Sequence, residues 1–129
     1  MTVVVGYLPS DRGRAALREA SEHARLRELR LVVVNTTRAD RLVDPSYAQT
    51  DQLTELAATL EASGVEHEVQ HFTSRESAAE DVLGVARKVD AKLIVIAIRH
   101  RTPVGKLLLG STAQVVLLEA DGPVLAVKG

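Results

Sequence analysis

Short apolar runs alternate with longer stretches in which apolar residues recur every three or four positions, and the alternation continues to the end of the chain. Val3-Val4-Val5-Gly6-Tyr7 is the first run, continuous enough for a strand buried on both faces. Pro9-Ser10-Asp11 turns the chain, and Ser10 or Asp11 is suited to cap a helix. That helix reaches about Arg27, with Ala16, Leu17, Ala20 and Ala24 on one face. Leu29–Val34 reads as the second strand, ending at Asn35-Thr36-Thr37. A polar connection from Arg38 to Pro45 precedes a second helix, where Leu53, Leu56, Ala57 and Leu60 form the stripe and Gly64 takes the C′ role.

Val65–Phe72 is polar and only partly alternating, which suits an edge strand. Ser74 opens a third helix with Ala79, Val82, Leu83 and Ala86 facing inward. Leu93–Ile98 is the fourth strand and Val124–Val127 the fifth; between them Gly110-Ser111-Thr112 starts a short helix. The order βαβαβαβαβ predicts an α/β fold: one five-stranded parallel sheet with helices on both faces. A polar third strand at an edge favours the strand order 3-2-1-4-5. The sheet then reverses direction between strands one and four. A ligand crevice is expected there, between the Tyr7–Asp11 loop and the Ile98–Ser111 loop.

Length predicts a single domain over residues 1–129. A formal charge of −1 gives no support to a general nucleic-acid or anionic-membrane binder. The aromatics are Tyr7, Tyr47 and Phe72, too few to form a stacking platform for single strands. The absence of cysteine removes disulfides, thiolate metal sites and cysteine nucleophiles together. No signal peptide and no apolar run of spanning length is visible, so a cytoplasmic location is expected.

One stretch departs from this even balance. Between Lys92 and Glu119 there is no acidic residue, and Arg99, Arg101 and Lys106 make the loop locally positive. Ser111-x-x-Gln114 matches a capping box, which would aim free amides out of a helix start. Amides, helix dipole and cations together make a phosphate site. The same residues also suit an ordinary solvated loop beside a well-capped helix, and pattern alone leaves both open.

Enzymatic motifs find little support. Ser111 in Leu-Gly-Ser-Thr-Ala lacks the second glycine of a nucleophile elbow. Gly105-Lys106 resembles a P-loop ending, but Leu107 stands where magnesium needs a hydroxyl. His67 and His71 fall on one side of a strand and His23 lies on a helix; no third ligand completes a metal site.

The whole chain resembles the universal stress protein family. The features that carry the resemblance are Gly110-Ser111-Thr112, the preceding Val104-Gly105-Lys106-Leu107-Leu108-Leu109, and the tail Gly122-Pro123-Val124-Leu125-Ala126-Val127. The resemblance implies an adenine nucleotide alpha hydrolase-like, Rossmann-like fold and a stress-response role. It also implies a homodimer joined through Val124–Val127. In members that bind ATP the motif is Gly-x-x-Gly, nine residues, then Gly-Ser or Gly-Thr. Here Ala97 and His100 stand at the first two glycine positions, and Leu8 stands where such members tend to carry an acidic residue.

For ATP or AMP, the resemblance implies phosphates on Gly110, Ser111 and Thr112, with Arg101 or Lys106 nearby. It places the base between the turn at Pro9 and the backbone at Val34. No metal is expected beyond magnesium carried by the nucleotide. Three readings stay open: a binding or regulatory protein with a degenerate nucleotide site, a slow ATPase or phosphotransfer enzyme, and a nucleotide-free dimerisation module.

Overall fold

The computed structural model describes residues 1–38, 46–74, 78–98 and 110–128. In chain order the elements are β1 (Thr2–Tyr7), α1 (Asp11–Leu26), β2 (Arg30–Arg38), α2 (Ser46–Ser63) and β3 (His67–Ser74), then α3 (Ala78–Lys88), β4 (Leu93–Ile98), α4 (Ser111–Glu119) and β5 (Val124–Lys128). The five strands form one sheet in the order β3-β2-β1-β4-β5, and every pair is parallel. This is the expected topology.

Side chains on successive residues of a strand point to opposite faces, and here both faces are apolar. Val3, Val5 and Tyr7, Leu31 and Val33, and Leu93 and Val95 pack with Ala16, Leu17, Ala20 and Ala24 of α1 and with Leu56 and Leu60 of α2. Val4, Val32, Val34, Ile94, Ile96 and Ile98 pack on the other face with α3 and α4. Val3, Val4, Val5 and Val95 are wholly buried. Each such side chain contributes about 1.5–3 kcal/mol when removed from water. The exposed ion pairs of α1, Arg14–Asp11 and Arg25–Glu22, are each worth about 0–1 kcal/mol, so burial holds that helix in place.

Two helices lie unusually close to backbone. Gly6 of β1 faces α3, and a Cβ there would come within 3.2 Å of Val82 Cγ2. Gly13 sits under the turn that leads into α1: a Cβ would fall 1.7 Å from the Leu8 carbonyl oxygen. The turn is tied down by the Ser10 amide, which donates to that same carbonyl at 2.8 Å.

Three helix ends share one device, a residue in the left-handed region. Gly64 does so at φ 70°, as its C′ role predicts. After α1 the position falls on Glu28 (φ 55°), and after α3 on Asp90 (φ 52°). In both, the next amide reaches back to the last turn: Leu29 to the Ala24 carbonyl at 2.8 Å and Ala91 to the Ala86 carbonyl at 2.9 Å. These Schellman closures return the chain to the sheet within a few residues.

The observed elements correct several boundaries. β2 extends to Arg38 rather than ending near Val34, and Ser74 ends β3 instead of opening the third helix; α3 begins at Ala78. Backbone pairing from Thr36↔Phe72 to Arg38↔Ser74 extends both strands through polar residues, because ladder bonds do not require apolar side chains. In α2 only Leu56 and Leu60 of the predicted stripe are buried; Leu53 and Ala57 are exposed.

Tyr7 closes the α1-side cluster at the end of β1. Burial chiefly, and the charge of Glu55 on α2 next, raise its phenol above the ordinary value of 10.0, with Arg14 acting in the opposite sense. The native state therefore holds the Tyr7 proton more tightly than the unfolded chain. That stability is fully present below pH 10 and is lost as pH rises through the folded value. Denaturant titrations across that range should show a steeper alkaline decline for the wild type than for Tyr7→Phe.

Gly13→Ala should lower unfolding free energy by about 1–3 kcal/mol or more, because backbone must shift to admit the methyl group. Gly84→Ala, at an open site inside α3, should raise it by about 0.5–1 kcal/mol. Urea unfolding of the two variants checks both signs.

Candidate functional site

From β1 the chain crosses through α1 to β2; from β4 it crosses through α4 to β5 on the opposite side. The carboxyl ends of β1 and β4 thus form a switch point where the two following connections diverge. α1 and α4 both start at this edge of the sheet, one over each face. Their first turns are built in opposite ways.

The start of α1 is closed by its own residues. Ser10 is the N-cap, and its Oγ accepts from the Gly13 amide at 3.1 Å. The Arg14 amide donates to the Ser10 carbonyl at 2.9 Å. Asp11 adds a negative charge in the first turn and binds Arg14 at 2.6 Å. That hydrogen bond, chiefly, raises the pKa of the Arg14 guanidinium, which stays charged throughout. An anion approaching α1 meets a carboxylate and finds the Gly13 amide already in use.

Among the described residues no side chain caps the start of α4. Gly110 is the N-cap, at φ −64° and ψ 160°, and makes no side-chain capping bond. This corrects the capping-box expectation, which gave that role to Ser111. Ser111 is instead the first helical residue, and the first helical bond runs from the Gln114 amide to the Gly110 carbonyl at 3.0 Å. The amides of Ser111, Thr112 and Ala113 are those that helical bonding leaves over. No acidic residue lies in this turn, and Ser111 and Thr112 are exposed. Ala113 and Val116, both buried against the α3–α4 face, fix the helix to the sheet.

The other expected residues divide into three groups. Val34 is 1% exposed, its side chain committed to the α3–α4 cluster, while Pro9 is exposed on the turn beside it. Leu8, in the acidic residue's position, is 47% exposed, and its carbonyl is held by Ser10. Ala97 packs against the α1-side cluster, so its methyl group belongs to the core. Arg101 and Lys106, together with Arg99, His100 and Gly105, lie outside the described residues.

Two polar contacts near this edge were not singled out in the sequence. Thr36 Oγ1 donates to Asp81 Oδ2 at 3.0 Å, joining β2 to α3. Asn35 Nδ2 lies 3.2 Å from His71 Nδ1 on the opposite face. Neither follows from chain spacing, because 45 and 36 residues separate the partners. Spacing along β3 also separates His67 from His71 by about 13 Å, too far to share one ion. Their ring nitrogens contact the Val65 carbonyl and Asn35 respectively. Among the described residues no group of three potential ligands converges, and no helix is long and apolar enough to cross a membrane.

A cavity of about 200 Å³ lies at the other end of the sheet, lined by Leu83, Ala86, Ile94 and Pro123. Arg87 bridges its rim, binding Asp121 Oδ2 at 3.1 Å and the Glu119 carbonyl at 3.2 Å. It is separate from the switch point.

Comparisons with known proteins agree with this architecture. The sequence model of the universal stress protein family matches residues 1–128. A universal stress protein of Mycolicibacterium smegmatis is 45% identical over 126 residues, covering 98% of this chain and 96% of the relative. Among solved structures, a universal stress protein from Archaeoglobus fulgidus superposes with a TM-score of 0.80 at 33% identity, covering 98% of this chain and 97% of that one. A second structure from that organism, a universal stress protein in complex with dAMP, gives a TM-score of 0.74 at 30% identity, with 98% and 96% coverage. From sequence motif, strand order and these full-length matches, the chain belongs to the universal stress protein family.

Proposed function

We propose that this protein is a stress-response binding or regulatory module that holds an adenine nucleotide, ATP or AMP, in the cytoplasm at the β1–β4 switch point. The carrying observation is the contrast between the two helix starts at that edge. α1 is capped and acid-bearing, whereas α4 has a glycine cap, no first-turn acid and exposed Ser111 and Thr112. A phosphate here accepts from the Ser111, Thr112 and Ala113 amides and gains from the helix dipole. Hydrogen bonds to a charged acceptor are worth about 1.5–3 kcal/mol each when desolvated. Arg101 and Lys106, in a stretch without acidic residues, supply the countercharge. The base lies between Pro9 and the backbone at Val34. The dAMP complex of a relative 30% identical to this chain supports the ligand class.

We also propose a homodimer through β5. This outermost strand carries Val124–Val127, all half-buried despite their apolar character. Beside it, α4 leaves Leu118 76% and Leu117 40% exposed. A second copy laid edge to edge would cover this surface.

Titration calorimetry with AMP and ATP, with and without magnesium, tests the nucleotide reading. Gly110→Asp is the sharpest variant: among the described residues nothing lies within 4 Å of the added Cβ, and the backbone there suits any residue. The new carboxylate caps α4 and occupies the same amides. AMP affinity should fall at least tenfold while the melting temperature holds or rises; unchanged affinity would refute the placement. Saturating ATP should bind without turnover, and magnesium-dependent hydrolysis would favour the enzyme reading.

For the dimer, Leu118→Glu is preferable to a change at Leu125, which packs into the α1-side cluster. Light scattering should find monomers; a persistent dimer would place the interface elsewhere.

A further inference from the structure

β2 and β3 continue beyond the rest of the sheet. β1 ends at Tyr7 opposite Asn35, but β2 and β3 stay paired through Arg38↔Ser74. This extension adds three residue pairs, a wall about 10 Å high beside the crevice. On its α3–α4 side stands Thr36, two positions beyond Val34 and so on the same face. Its register partner Phe72 packs against that face's cluster. Asp81 of α3 accepts the Thr36 hydroxyl hydrogen at 3.0 Å in a half-buried contact.

A threonine hydroxyl has one hydrogen and two lone pairs. With that hydrogen committed to Asp81, the oxygen can only accept, and an ionised carboxylate likewise only accepts. The pair therefore presents hydrogen-bond acceptors and no donor. Its place matters because α4 packs over β4 and β5. β2 lies two strand spacings from β4, about 10 Å away. On the nucleotide reading, a mononucleotide with its phosphate on the α4 start would extend across β1 towards this wall with the far edge of its base.

We propose that Thr36 and Asp81 are the specificity-determining pair for the base, selecting a ring that carries an exocyclic amino group over one with an oxo group at the same position. The inference rests on the nucleotide reading above. An amino group gives a hydrogen to the waiting acceptors. An oxo group sets lone pairs against lone pairs and leaves both sides unsatisfied, which sites built around a hydrogen bond reject strongly. Asp81 acts through Thr36 by fixing its hydrogen, and Thr36 meets the ring.

AMP and IMP differ at this one position, so the ratio of their affinities is the readout. Wild-type protein should bind AMP at least tenfold more tightly than IMP in calorimetric titrations. Asp81→Asn should bring the ratio towards one: its amide can donate to the Thr36 oxygen and release the hydroxyl hydrogen to serve an oxo group. Thr36→Val should also lower the ratio, and Thr36→Ser should preserve it. If the pair is only a tie between β2 and α3, Thr36→Val lowers the melting temperature and leaves the ratio unchanged, which overturns the inference. A wild type with no AMP preference overturns it as well. In either case AMP binding that remains sensitive to Gly110→Asp leaves the nucleotide reading standing. If the wild type binds neither nucleotide, that reading falls and takes this one with it.

Discussion

The central strands β1 and β4 bury side chains on both faces, and the rest of the structure follows from that demand. Val3, Val4 and Val5 and their neighbours Ile94, Val95 and Ile96 cannot be covered by helices on one side. Parallel strands require a crossover between each pair, and the crossovers supply the two helical layers. Because the chain leaves β1 towards one edge and β4 towards the other, a gap opens where the connections part. The candidate site is thus a consequence of packing. Its chemistry depends on what the two helix starts carry: α1 has a serine cap and a first-turn acid, and α4 has a glycine cap and none.

Features at the same edge help to shape the gap. Gly13 lets the Leu8 turn lie directly on α1, and the Ser10 cap holds it there. Ala97, where the family's ATP binders have glycine, points its methyl group into the α1-side core. This departure from the family motif is therefore absorbed by packing. The exposed side chain of Leu8 is a different matter, since an apolar group at the rim offers no acceptor to a ligand. On the proposed reading, such a site relies more on the α4 start and on the β2–β3 wall.

Much of the fold was legible in the sequence because burial on both faces leaves a direct signature. Runs such as Val3–Val5 and Leu93–Ile98, and the alanine face of α1, specify strand, helix and layer together. The polar character of β3 placed it correctly at an edge. Legibility ended where backbone bonding or distant partners decide. Thr36 and Phe72 extend the ladder without an apolar pattern to announce it. Glu28 and Asp90 adopt left-handed conformations that a reader expects of glycine. Gly110 is the cap, and Ser111 falls one position inside the helix, a one-residue shift that the spacing to Gln114 does not reveal. The Thr36–Asp81 contact depends on how α3 docks across the sheet, which chain spacing does not reveal.

A two-dimensional amide NMR titration with AMP shows whether ligand phosphate is taken by the glycine-capped start of α4. Saturable shifts are expected at Ser111, Thr112 and Ala113, with the Gly13 amide, held by Ser10, little changed. Shifts confined to the α1 start, or to Arg87 and Asp121 at the opposite end of the sheet, would contradict that placement.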